Sequence, residues 1–132
     1  MTPRTIHHGG CLCGAVRYEA EGELRNVIAC HCTQCRKQSG HFAAMTSVPH
    51  DRFVITKDDG LSWYSASPLA QRGFCRICGS NLFWQPTGER RISITGGTFD
   101  GPLGVSVAMH IFCADKGDYY EIDEGVKQLA AD

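Results

Sequence analysis

The stretch Val27-Ile28-Ala29-Cys30-His31-Cys32-Thr33-Gln34-Cys35 decides how the rest of the chain is read. An apolar run leads straight into three cysteines within six residues, and Thr33 to Gln38 then reads as a short helix. One loop running into one helix can present all three sulfurs to a single ion. A zinc ion with three protein ligands keeps its fourth position for water or substrate, which is the arrangement of a reactive site. His31 is the rival fourth ligand. If Cys30 and Cys32 point one way, His31 between them points the other, where it packs or hydrogen-bonds. Two alternatives stay open at this point: Cys113 or His41 closes the site and makes it structural, or the three cysteines are reactive thiols with no metal.

Cys11-Leu12-Cys13-Gly14 and Cys75-Arg76-Ile77-Cys78-Gly79 supply two further pairs. The second has the form of a zinc knuckle, in which glycine lets the backbone bend so that its N–H groups face sulfur. In the first, extended backbone puts residues i and i+2 on one face, so both sulfurs can meet one ion. Together the pairs make a closed four-cysteine site of the structural kind. From Cys13 to Cys75 is 62 positions (75 minus 13). Closing that loop costs about 4 kcal/mol, and apparent zinc binding of about 10–16 kcal/mol exceeds it.

The chain has 132 residues, a length that fits a single domain over residues 1–132 with a core modest enough to profit from a metal staple. Its 13 Lys and Arg against 14 Asp and Glu give a formal charge of −1. No basic stripe runs along it, so no nucleic-acid partner is expected. The opening residues lack the apolar core of a secretory signal, and no apolar run approaches the roughly 20 residues that cross a bilayer. The expectation is a soluble, cytoplasmic protein in which eight cysteines, gathered at short spacings, mean metal rather than disulfides.

Elsewhere the sequence reads as strand and turn. Ala15 to Ala20 alternates, as does Phe42 to Val48. Further strands are expected at Phe53–Thr56, Leu61–Tyr64, Asn81–Trp84, Arg91–Thr95 and Val105–Phe112. Fifteen glycines supply the turns. The fold class is mainly β, a sandwich or barrel-like domain with few short helices. His7 and His8 read as tail, and Cys113 as a buried small hydrophobe. His110 reads as a hydrogen-bonded core histidine. Trp63, Tyr64, Phe83 and Trp84 read as core or dimer interface.

Three segments in combination resemble the glutathione-dependent formaldehyde-activating enzyme family, whose domain also occurs in centromere protein V. They are Gly10-Cys11-Leu12-Cys13-Gly14-Ala15-Val16, Cys30 through Lys37, and Gly73-Phe74-Cys75-Arg76-Ile77-Cys78-Gly79-Ser80. The likeness continues in Thr95 through Pro102 and in His110-Ile111, and so spans about the whole chain. It implies the zinc-stapled β-tent fold. It also implies a structural zinc on Cys11, Cys13, Cys75 and Cys78, and catalytic zinc ligands at Cys30, Cys32 and Cys35. The family's named reaction adds glutathione to formaldehyde, formally a carbon–sulfur lyase run in reverse. One departure is that Asp118-Tyr119-Tyr120-Glu121-Ile122 has tyrosines where many members carry a tryptophan.

Glutathione is anionic, so Arg36, Lys37, Arg72 and Arg76, which flank the two metal motifs, are the candidates to bind its carboxylates. Three functions follow from the cysteine pattern. The first is a zinc-dependent carbon–sulfur lyase acting on glutathione or a related thiol adduct, with a small-molecule thiol as partner. The others are a zinc-stabilised binding module without turnover and a redox or zinc-buffering thiol protein. A homodimer is plausible for a small β domain with exposed edges.

Overall fold

The structure, a computed structural model, describes residues 4–132. Its strands are β1 (Ile6–Gly10), β2 (Val16–Glu21), β3 (Val27–Cys30), β4 (Ala43–Pro49), β5 (Phe53–Asp58), β6 (Leu61–Ser67), β7 (Ala70–Cys75), β8 (Asn81–Pro86), β9 (Arg91–Thr95), β10 (Val107–Ile111) and β11 (Lys127–Gln128). A single α-helix, α1 (Thr33–Ser39), stands among the described residues. Three strands form a small sheet in the order β1-β2-β5, and the other eight form a large one, β11-β10-β3-β4-β9-β8-β7-β6. β10 runs parallel to β3 and β11. The chain is mainly β as expected, but the large sheet does not close into a barrel and leaves β11 and β6 as edges.

Period-two patterning joins the sheets. On β2 the residues Val16, Tyr18 and Ala20 are buried and their neighbours are half-buried. That face packs on Val48 of β4, Leu82 and Phe83 of β8, and Ile92 and Ile94 of β9 in one core. Each such aliphatic or aromatic side chain removed from water stabilises the fold by about 1.5–3 kcal/mol. Leu82 and Phe83 are adjacent yet both buried, because the pairing of β7 with β8 shifts register between Gly73 and Phe74. Trp63 stacks on Phe83 with ring centroids 6.0 Å apart, but Trp63 and Tyr64 are both exposed rather than in the core. None of the described helices is long and apolar enough to cross a membrane.

The start of the chain differs from expectation. His7 and His8 belong to β1 rather than to a tail, and His7 Nε2 donates to the Gly22 carbonyl at 3.0 Å. The sequence Ile6-His7-His8-Gly9-Gly10 has no apolar alternation, so only its pairing with β2 reveals it. β7 is similarly silent, with Gln71, Arg72 and Gly73 at its centre; β6 and β8 on either side hold it extended.

β1 also fastens the small sheet to the large one. Gly9 bridges to Phe99, the Asp100 N–H donates to the His8 carbonyl at 2.8 Å, and the Tyr18 hydroxyl meets Thr98 Oγ1 at 2.8 Å. A Cβ at Gly9 would lie 2.3 Å from the Tyr18 hydroxyl and 2.6 Å from the Thr98 carbonyl. Neither can retreat, since one is buried and the other is backbone. Gly9→Ala is therefore expected to destabilise by about 1–3 kcal/mol in urea unfolding. Gly101→Ala, where a Cβ meets nothing within 4 Å, is expected to stay within about 0.5 kcal/mol of wild type.

Candidate metal centres

The turn after β1 and the turn between β7 and β8 bring Cys11, Cys13, Cys75 and Cys78 together, with all four sulfurs within 4.8 Å of one another. Cys11 and Cys13 are 3.7 Å apart, and Cys13 and Cys75 are 3.8 Å apart. A tetrahedral ion with metal–sulfur bonds of about 2.3 Å needs sulfurs about 3.8 Å apart, so this donor set fits a four-coordinate soft cation. The backbone is turned to serve the sulfurs. The Val16 N–H donates to Cys11 Sγ at 3.2 Å and the Cys78 N–H to Cys75 Sγ at 3.5 Å. Gly14 and Gly79, both with φ of 82°, close the two turns in the left-handed region. Ser80 lies 3.3 Å from Cys78 Sγ, and its hydrogen bonding lowers that thiol to about 5.

The second group stands where β3 gives way to α1. Cys30 ends the strand, Cys32 is the N-cap of the helix and Cys35 completes its first turn, so the i, i+3 spacing sets Cys35 over Cys32. The Cys35 N–H donates to Cys32 Sγ at 3.3 Å. Gly40, with φ of 80°, ends the helix in a left-handed cap. The sulfurs of Cys30, Cys32 and Cys35 lie within 4.8 Å of one another, and neither His31, His41 nor Cys113 joins them. Cys113 is half-buried in the turn after β10 rather than packed in the core.

His31 points away from the sulfurs, as alternation requires, and is fully buried. Both ring nitrogens are engaged: Nδ1 bonds the Tyr120 hydroxyl, and Nε2 bonds His110 Nδ1 at 2.8 Å. Burial first, and then the neighbouring His110, pulls His31 down to about 4, so the ring is neutral near pH 7. His41 Nδ1 meets the Tyr119 hydroxyl at 2.6 Å, and Lys116 lies 4.8 Å from the centre of the Tyr120 ring. The two tyrosines that depart from the family pattern thus back the cysteine loop. Sequence reading missed their role because they lie 89 and 78 positions from the histidines they meet.

In front of the loop, a cavity of about 360 Å³ is lined by Cys35, Phe42, Arg72, Asn81, Thr95 and Thr98, among others. That volume is at the small end of ligand pockets, which span about 300–1,000 Å³. Arg72 alone of the four basic candidates lines it, with both Nη1 and Nη2 donating to Cys35 Sγ at 3.5 Å. The hydrogen bond with Cys30 and then the Arg72 guanidinium lower Cys35 to about 5 against the burial that opposes them. Cys30 is raised by the same hydrogen bond and by burial. Arg76 is used elsewhere, donating to the carbonyls of Asp59 and Leu61 at 2.7 and 3.4 Å. Arg36 Nε is buried without a partner among the described residues, and Lys37 is exposed on α1.

Removing the Tyr120 hydroxyl tests how firmly the loop is backed. Tyr120→Phe leaves His31 Nδ1 buried and unsatisfied, at an expected cost of about 1–3 kcal/mol. Tyr119→Phe, at a more exposed contact, is expected to cost under about 1 kcal/mol. Urea unfolding of the two variants beside wild type checks both.

Residues 6–115 match the glutathione-dependent formaldehyde-activating enzyme family. A protein of Schizosaccharomyces pombe named an uncharacterized lyase is 27% identical over 128 residues, which span 96% of this chain and 92% of its own. The crystal structure of a Rhodobacter sphaeroides protein matches with a TM-score of 0.60 and 27% identity, over 76% of this chain and 98% of that one. The family match runs from the first residue of β1 to the turn after β10 and takes in both thiol groups together with the cavity between β4, β7, β8 and β9. The chain belongs to the glutathione-dependent formaldehyde-activating enzyme family.

Proposed function

We propose that the protein is a zinc-dependent carbon–sulfur lyase that forms and breaks the bond between the sulfur of glutathione, or a related thiol, and the carbon of formaldehyde. The observation that carries this reading is the meeting of three thiols within 4.8 Å of one another, one of which, Cys35, lines a cavity that Arg72 also lines. In this reading Cys11, Cys13, Cys75 and Cys78 hold a structural zinc. Cys30, Cys32 and Cys35 hold a second zinc with room for one more ligand.

In the synthetic direction the substrate thiol gives up its proton, its sulfur attacks the aldehyde carbon, and the carbonyl electron pair moves onto oxygen, which takes up a proton. Zinc at the second site would supply stabilisation of the thiolate or of the developing alkoxide. Three cysteine thiolates already neutralise the ion's charge, so that stabilisation is modest. Arg72 provides the fixed positive charge in the cavity and attracts the anionic end of the substrate toward Cys35. Thr95, Thr98 and Asn81 line the wall with hydrogen-bonding groups, while Phe42 and Phe83 limit access of water. His31, held neutral and doubly bonded, fixes the loop and leaves the proton traffic to the cavity side.

Metal counting tests the site directly. Wild type is expected to carry two zinc ions per chain and Cys32→Ser one, with glutathione perturbing only the ion that the variant loses. A single zinc unaffected by either change would overturn the lyase reading and leave a stapled domain. Kinetics test the cavity. Arg72→Gln is expected to lower kcat/KM for glutathione roughly ten- to hundred-fold, the worth of one charge-assisted hydrogen bond, while zinc content stays at two.

A further inference from the structure

Arg4, Arg25, Arg52 and Arg91 come from four separate parts of the chain and meet around one open cavity of about 700 Å³. It lies at the far end of β3 and β4 from the cysteine loop. Ser47 and Arg91 are at this end, whereas Cys30 pairs with Ala43 at the other. Neither the proposed reaction nor the two thiol groups use it.

The fold orients three of these guanidiniums, those of Arg25, Arg52 and Arg91, without neutralising them. Arg25 Nη2 donates to the Met45 carbonyl at 2.8 Å and its Nε to the Asn26 carbonyl at 3.1 Å. Arg52 Nη1 donates to the carbonyls of Glu21 and Glu23 at 2.8 and 3.1 Å, and Arg91 Nε donates to Ser47 Oγ at 3.2 Å. Room for Arg52 is made by Gly22, whose φ is 83° and whose absent Cβ would sit 2.6 Å from Arg52 Nη1. The ion pairs among the described residues are Arg17–Asp100 and Lys57–Asp59, and none involves the four arginines. Glu23 is the one carboxylate at the cavity and pairs with none of them. Burial, and then the neighbouring Arg91 cation, hold Arg25 below the usual guanidinium range.

Like charges gathered around one cavity repel, and a bound anion relieves that repulsion while taking up the donors that the carbonyls leave over. Guanidinium forks match phosphate and carboxylate oxygens in pairs. We propose that this cavity is a binding site for a small multivalent oxyanion, gripped by Arg4, Arg25, Arg52 and Arg91. The anion's source is either a phosphate-bearing or a polycarboxylate metabolite.

Thermal unfolding of the metal-loaded protein tests this, with inorganic phosphate or succinate compared against sodium chloride at matched ionic strength. Phosphate, or succinate if the natural ligand is a polycarboxylate, is expected to raise Tm by roughly 5 °C at concentrations far above Kd. The anion that does so identifies the source. Arg91→Gln is expected to abolish that rise while matching or exceeding wild-type Tm in chloride, because it removes a repulsion. Arg4→Gln, at an exposed position outside the sheets, provides a second variant with the same expected loss. No anion-specific rise in wild type, or an undiminished rise in both variants, overturns the proposal.

Discussion

Four thiols from two turns, 62 positions apart between Cys13 and Cys75, converge on one point, and the remaining architecture is arranged around that convergence. The first turn hangs from β1 and β2 of the small sheet, the second from β7 and β8 of the large one. Any ion that the four sulfurs hold cross-links the two sheets at one end, where the Gly9–Phe99 bridge and the Tyr18–Thr98 hydrogen bond already join them. Gly60, in the turn between β5 and β6, completes the packing. Its missing Cβ would lie 2.7 Å from Cys75 Sγ, so the third connection between the sheets also closes against sulfur.

The second thiol group depends on this frame without sharing its ligands. β3 and β4 carry Cys30 and Ala43 to one end of the large sheet, and β7 delivers Arg72 to the same cavity from across β9 and β8. The two groups differ in what surrounds them. The four-sulfur group is served by backbone N–H donors and a serine. Within the three-sulfur group, Cys35 faces a guanidinium and a cavity, while Cys30 is outside that cavity's lining. That asymmetry gives the two groups different surroundings: the first is held between its own turns, the second opens toward the cavity that Arg72 lines.

Cysteine positions were legible in the sequence because metal chemistry imposes short spacings: the pairs at Cys11/Cys13 and Cys75/Cys78 and the triplet at Cys30/Cys32/Cys35 each meet as their spacing requires. The opposed orientation of His31 followed from strand alternation in the same way. What stayed hidden depends on pairing between distant segments. β1 and β7 have no hydrophobic period and exist because β2, β6 and β8 supply partners. Arg72 and Arg76 looked alike as neighbours of one motif, yet a strand and a turn send one to the cavity and the other to backbone carbonyls. The cluster of Arg4, Arg25, Arg52 and Arg91 is scattered along the sequence, so a chain with a formal charge of −1 conceals a local concentration of cations.

The anchoring of His31 by His110 and Tyr120 spans 79 and 89 positions, and this separation orders events in time. A ribosome adds about 5–20 residues per second, so Cys30, Cys32 and Cys35 precede the Tyr120 that backs them by roughly four to eighteen seconds. β3 likewise waits for β10 before it has a neighbour on both sides. The four-sulfur group has its last sulfur at Cys78 and its supporting serine at Ser80, so it can assemble well before Tyr120 is made. The triplet is among the first chemistry to be synthesised and the last to be given its final shape, and in that interval its thiols meet the surrounding solution without the support that later holds them.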